Sequence, residues 1–218
     1  MRYIEKSAEP AAFVAWKAGA NADWTPTYRD LRDPEKRELH EALLAEQGGT
    51  CCYCGRLINR DDSHIEHFAP QEAFDSKALD HANLHASCIR ELAPGNPLHC
   101  GHGKANEFDA AVAIKPTDPL CEARFSYSKF TGAVVASDAR DRAANYMIGL
   151  LKLDIEFLRE RRAEALEGMF DDVFEASATI EELQLLAQRM RQRTATGHYR
   201  SFSHVLALYA EHLIALKR

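Results

Sequence analysis

Cys51-Cys52-Tyr53-Cys54-Gly55-Arg56 opens a stretch that runs on through Ser63-His64-Ile65-Glu66-His67-Phe68-Ala69-Pro70 and Asp80-His81-Ala82-Asn83-Leu84-His85-Ala86-Ser87-Cys88 to Cys100-Gly101-His102-Gly103-Lys104-Ala105-Asn106. Five of the six cysteines and six of the ten histidines fall inside it, and Cys121 alone among the cysteines lies elsewhere. Packing scatters such residues, whereas crowding of thiols and imidazoles marks a metal site. Cys51-x-x-Cys54 is a knuckle in which two thiolates grip one ion and Gly55 relieves the tight turn. Cys88 and Cys100, separated by eleven residues that include Pro94-Gly95-Asn96-Pro97, supply the second pair. Four cysteines close a tetrahedral shell, so the expected ion is a structural Zn²⁺ with no open position. Cys52 can replace Cys51 as ligand, although the spacing favours Cys51. A thioredoxin-like dithiol, the competing reading of the knuckle, leaves Cys88 and Cys100 unexplained.

Between the cysteine pairs, Ser63 to Phe68 alternates as a strand does and is ended by Pro70. Asn83 precedes a second short extended segment. Cys100 to Phe108 reads as a helix start that places His102 and Asn106 four residues apart on one face. His64, His81, His85 and His99 read as polar or core histidines.

Outside this stretch the chain reads as mostly helical. Helices are predicted over about 10–20 and 34–47, the second with Asp33 as cap, Pro34 at its first position and Gly48-Gly49 as its stop. A β-hairpin is predicted over 124–135 around Thr131-Gly132. A long helix capped by Asp138 or Asp141 carries Met147, Ile148, Leu151, Ile155 and Leu158; further helices cover 180–193, capped by Thr179, and 203–216. Arg189, Arg191, Arg193 and Arg200 read as a solvated basic face, with nucleic-acid contact as the alternative. The expected fold is therefore α+β and mostly helical: a zinc-stabilised module over 50–110 between an N-terminal helical region, 1–49, and a C-terminal one, 140–218, with a connecting segment over 111–139.

With 27 Lys and Arg against 33 Asp and Glu, the 218-residue chain carries a net charge of −6. No apolar run approaches the roughly 18 residues of a membrane span, and the first residues lack a signal-peptide core, so a cytoplasmic protein is expected. An acidic chain argues against broad nucleic-acid affinity of its own.

The order Cys51-x-x-Cys54, Glu66-His67, Asn83-Leu84, Cys88, Cys100-x-His102-x-Lys104 resembles the HNH, or ββα-metal, endonucleases. The wider pattern, with Glu46-Gln47-Gly48-Gly49 before the knuckle, His64-Ile65-Glu66-His67-Phe68-x-Pro70, and Leu151-x-Leu153-Asp154 with Leu158 and Arg162 in the tail, is similar to the PtuB-like nucleases of Septu and retron-associated antiphage systems. The resemblance implies an enzyme that hydrolyses DNA phosphodiesters with His67 as general base and Asn83 bracing it. It further implies Glu66 and His102 as ligands of a catalytic Mg²⁺ or Mn²⁺, Lys104 as a phosphate contact, and a PtuA-like ATPase as partner. Gly101 separates Cys100 from His102, which leaves Asn106 as the alternative last ligand. The alternative function is a zinc-stabilised nucleic-acid-binding or adaptor module without catalysis.

Overall fold

The computed structural model describes residues 1–91 and 94–218. Ala11–Ala18 forms α1 and Glu35–Glu46 forms α2, which buries Leu39, His40, Leu43 and Glu46. Asp33 does not cap α2; the helix starts one residue after Pro34 with no side-chain cap. Its end is the expected one: Gly48 and Gly49 both adopt positive φ, at 58° and 68°, a conformation that side chains disfavour. That turn delivers the chain to the cysteine knuckle.

Ser63–His67 forms β1 and Leu84–Cys88 forms β2, paired antiparallel from Ser63 opposite Cys88 to His67 opposite Leu84. The buried Gln47 amide ties α2 to this ribbon: its Nε2 donates to the Ala86 and Thr50 carbonyls at 2.8 and 2.7 Å, and its Oε1 accepts from Ala86 N–H at 2.7 Å. A side chain thereby satisfies backbone groups that a two-stranded sheet leaves unpaired. Cys100–Lys104 forms the one-turn α3, stopped where Ala105 turns to φ 48°. The helix is thus shorter than predicted, and His102 and Asn106 do not share a helical face.

The hairpin is present as β3, Phe125–Tyr127, against β4, Val134–Ala136. The predicted long helix is two: α4, Arg142–Leu150, capped by Asp141, and α5, Glu156–Glu167. Between them Leu151 and Leu153 both stay buried while Lys152 takes φ 49°. The break has a use, because the Leu151 carbonyl accepts the Cys100 N–H at 2.8 Å and so anchors the start of α3. A short helix that the sequence did not announce, α6 over Asp172–Ser177, precedes α7, Ile180–Met190, and α8, Ser203–Leu216. Thr179 and Glu182 form the capping box of α7.

Two apolar cores result. The first joins α1, α2, the ribbon, the hairpin, α4 and the start of α5 as far as Leu158. The second runs from Leu166 through Phe170 to α7 and α8. The two cores therefore divide along α5, between Leu158 and Leu166, and the buried residues of α4 pack in the first with the cysteines. Among the described residues no helix is long and apolar enough to cross a membrane.

Candidate metal centre and active site

The knuckle, the end of β2 and the start of α3 bring Cys51, Cys54, Cys88 and Cys100 together, with all four sulfurs within 4.8 Å of one another and fully enclosed. Zn–S bonds of about 2.3 Å in a tetrahedron place sulfurs about 3.8 Å apart; Cys54 and Cys88 stand at 3.9 Å. Cys88 N–H points at Cys51 Sγ at 3.4 Å, the backbone-to-thiolate contact that steadies a metal-bound sulfur. Burial pushes the Cys51 thiol up, but hydrogen bonds from Cys100, Cys52, Cys54 and Cys88 outweigh it and hold it well below the ordinary thiol range. Gly55, at φ 76°, closes the knuckle against His204, whose ring leaves no room for a Cβ. The cluster can hold a metal ion such as zinc. Cys52 is buried outside it, and its thiol is pushed up by burial.

Period-two alternation puts His64 and Glu66 on one face of β1 and His67 on the other. The Glu66 carboxylate is buried among three partners. Tyr53 Oη donates to Oε1 at 3.1 Å, the Lys104 ammonium lies 3.1 Å from the same oxygen, and His64 Nε2 is 3.3 Å from Oε2. Burial pushes this carboxyl up, yet the His64 hydrogen bond and the Lys104 charge outweigh it and keep it below the usual range. The His64 imidazole is correspondingly raised, the Glu66 contact overcoming the penalty of burial. The His102 ring lies 4.5 Å from the His64 ring, tilted by 44°, and meets the Ile89 carbonyl through Nε2 at 3.0 Å. The partner of Glu66 is thus His64, where His102 was expected. Room for it exists because residue 101 is glycine: a Cβ there would sit 2.4 Å from Glu66 Oε2 and 2.8 Å from His64 Nε2. His64, Glu66 and His102 lie together without bringing three ligand atoms to one point; among the described residues only the four cysteines do that.

On the opposite face, His67 Nε2 lies 3.0 Å from the Ala78 carbonyl. A carbonyl only accepts, so Nε2 carries the proton and Nδ1 is the bare, basic nitrogen. Nδ1 has no hydrogen-bond partner among the described residues. Tyr28 packs edge-on against the ring at 4.4 Å. Burial holds the His67 imidazole below its ordinary value, which keeps it neutral. Asn83 clamps the loop beyond β1: its Oδ1 accepts Ala69 N–H at 2.8 Å, and its Nδ2 donates to the Ala69 and Lys77 carbonyls at 3.0 and 3.1 Å. One amide thereby ties the end of β1 to the turn that supplies Ala78, the acceptor that orients His67.

Two residues stand away from their expected roles. Lys104 is 2% exposed, and its ammonium also donates to the His67 carbonyl at 3.0 Å; it neutralises Glu66 and ties both residues to α3, so it cannot touch a phosphate in solvent. Asn106 is exposed and donates to Glu72 at 2.6 Å, away from Glu66. His64 and Tyr53 were missed as partners of Glu66; the only sequence signal was that His64 shares a strand face with it. No protein-family model matches the chain, and comparison with curated proteins finds no match.

Proposed function

We propose that the chain is a metal-dependent endonuclease of the HNH type that hydrolyses phosphodiester bonds of DNA. The observation that carries this reading is the presentation of His67: a neutral imidazole with Nε2 fixed by Ala78, Nδ1 bare, and the supporting loop clamped by Asn83. Such a nitrogen is suited to taking the proton of an attacking water. Zn²⁺ in the four-cysteine cluster is structural in this reading, since no ligand position stays open. Glu66 with His64 or His102 offers the oxygen and nitrogen donors that suit Mg²⁺ or Mn²⁺. When bound, such an ion offsets negative charge developing on the phosphate. Asn83 is a positioning residue, and Lys104 sets the charge and place of Glu66.

The resemblance to PtuB-like nucleases extends the proposal to an antiphage effector that works with a PtuA-like ATPase. The net charge of −6 supports reliance on a partner for holding DNA. Phe130 and Val173, 78% and 76% exposed, offer apolar contacts away from the cysteine cluster. Co-expression with such an ATPase should yield a co-purifying complex; a chain that stays unbound refutes this part alone.

The test is cleavage of supercoiled plasmid with Mg²⁺ or Mn²⁺ by the wild-type chain and by His67→Ala, with zinc measured in both. The expected result is equal zinc and lost cleavage in the variant. One observation favours the adaptor reading instead: the Glu66 carboxylate is already compensated by Tyr53, Lys104 and His64. In that case wild type cuts nothing with either ion, and Glu66 and His67 matter only for stability.

A further inference from the structure

Lys36, Arg37, Arg60 and Arg90 border one cavity of about 330 Å³ whose wall is Ser63, His64 and Ile65 of β1, with Tyr28, Asp33 and His40 beside them. That gathers four permanent cations against one carboxylate in a chain whose overall charge is negative. Several bridging cations elsewhere are paired with carboxylates, as in Arg124 with Asp141, Arg191 with Glu122 and Glu211, and Lys129 with Asp172 and Glu175. Here none of the four meets a carboxylate among the described residues. Lys36 and Arg37 stand in the first turn of α2, where the helix dipole disfavours positive charge. The same field acts on His40: burial first, then the nearby His64, Arg90, Arg60 and Lys36, hold its imidazole down to about 4. Local physics opposes this arrangement, and a polyanion would stabilise it.

The cavity also touches both halves of the candidate active site. Tyr28 lines it and packs against His67; His64 lines it and contacts Glu66. The cations come from three separate segments: the start of α2, the turn before β1 and the residue after Ile89. Spread, half-exposed charges of this kind follow an extended backbone better than they enclose one small anion.

We propose that this groove binds the sugar-phosphate backbone of duplex DNA beside the scissile phosphate, with Lys36, Arg37, Arg60 and Arg90 as the phosphate contacts. The proposal rests on the nuclease reading for its orientation but concerns binding alone. The test titrates the His67→Ala chain, at several salt concentrations and without divalent ions, against a short fluorescent DNA duplex. Lys36→Ala, Arg37→Ala and Arg90→Ala should each weaken binding roughly five- to tenfold and lower the salt slope by about 0.9 for each phosphate no longer neutralised. Arg140→Ala, a solvent-exposed control, should change neither. Unchanged affinity and slope in the groove variants, or no duplex binding at low salt, overturns the proposal. A groove specific for a single free anion would instead show complete competition by millimolar inorganic phosphate, which also overturns it. Groove-dependent binding without any Mg²⁺- or Mn²⁺-dependent cleavage by wild type would leave the groove standing and remove the nuclease reading.

Discussion

Gly101 packs against the Glu66 carboxylate so closely that a Cβ there would lie 2.4 Å from Oε2. The atoms in the way, Glu66 Oε2 and His64 Nε2, are the ends of side chains that can swing aside, not backbone. Gly101→Ala should therefore cost little stability, on the order of 1 kcal/mol, while separating Glu66 from His64. The expected outcome is unchanged zinc content and a urea midpoint lowered by no more than about 1 M, with divalent-ion-dependent cleavage lowered about tenfold or more. Full activity in this variant would show that the His64–Glu66 contact is dispensable.

The ion pair of Glu66 and Lys104 is enclosed on both sides, with side-chain exposures of 9% and 2%. Removing one partner leaves a buried charge uncompensated, at a cost of about 3–5 kcal/mol. Lys104→Met and Glu66→Gln should each destabilise strongly, and the double variant should cost clearly less than their sum. A double-mutant cycle by urea denaturation checks this; additive losses would mean the two groups do not interact.

The cysteine cluster, β1, the place of Asn83 before β2 and the Thr179 cap are legible in the sequence because each is a local signal: a spacing, an alternation or a cap within a few residues. Sequence reading failed where the answer lies across the fold. Lys104 looks like a solvent cation by type, and only the approach of α3 to β1 turns it into the counter-charge of Glu66. The α4–α5 break was hidden because Leu151 and Leu153 are both buried, so the apolar pattern continues through the helix end, and the nearest glycine, Gly149, sits inside the last turn of α4 and not after it. Arg191 and Arg193 read as a basic face, yet the first pairs with Glu122 and Glu211 and the second caps the Ala45 and Glu46 carbonyls at the end of α2. A group of cations without carboxylate partners gathers instead at one cavity, from Lys36, Arg37, Arg60 and Arg90, which no sequence window joins.

Cys51 lies in the four-sulfur cluster, and the adjacent Cys52 does not. Metal analysis of the purified chain should give one zinc per chain for wild type and Cys52→Ser, and little or none for Cys51→Ser. Because the metal joins the knuckle, β2 and α3, chelation should lower the urea midpoint of wild type. Zinc retained by Cys51→Ser but lost from Cys52→Ser would reverse the ligand assignment.

Asn83→Ala deletes an amide that satisfies Ala69 N–H and two carbonyls inside the protein. Buried groups left unpaired cost about 1–3 kcal/mol. Since Asn83 steadies the turn that carries Ala78, the loss should fall on turnover through a tilted His67 more than on DNA affinity. Kinetics should show reduced kcat with nearly constant KM, and Asn83→Asp, which keeps the acceptor for Ala69 N–H, should recover part of it. A pure stability change, with kcat intact in the folded fraction, would contradict the positioning role.

His40 and His81 give the fold a defined acid weakness. Both imidazoles are held down to about 4, by burial first and then by cations, His64 and Arg90 near the one and Lys6 near the other. In the unfolded chain each takes up its proton near its ordinary value of about 6.5. Stability from keeping them neutral is thus full above that value and is lost as pH falls from it towards about 4, because the unfolded state binds the proton first. Each site should forfeit about 1 kcal/mol between pH 6.5 and 5.5. His40→Gln removes one titrating group while keeping a polar partner for the Ser63 hydroxyl, 2.9 Å from His40 Nε2. Urea denaturation at the two pH values, with zinc in excess for both proteins, should therefore show a drop smaller by about 1 kcal/mol in the variant. Acid loss of zinc acts equally on both, so an identical drop would mean that His40 takes up its proton at the same pH in the folded and the unfolded chain.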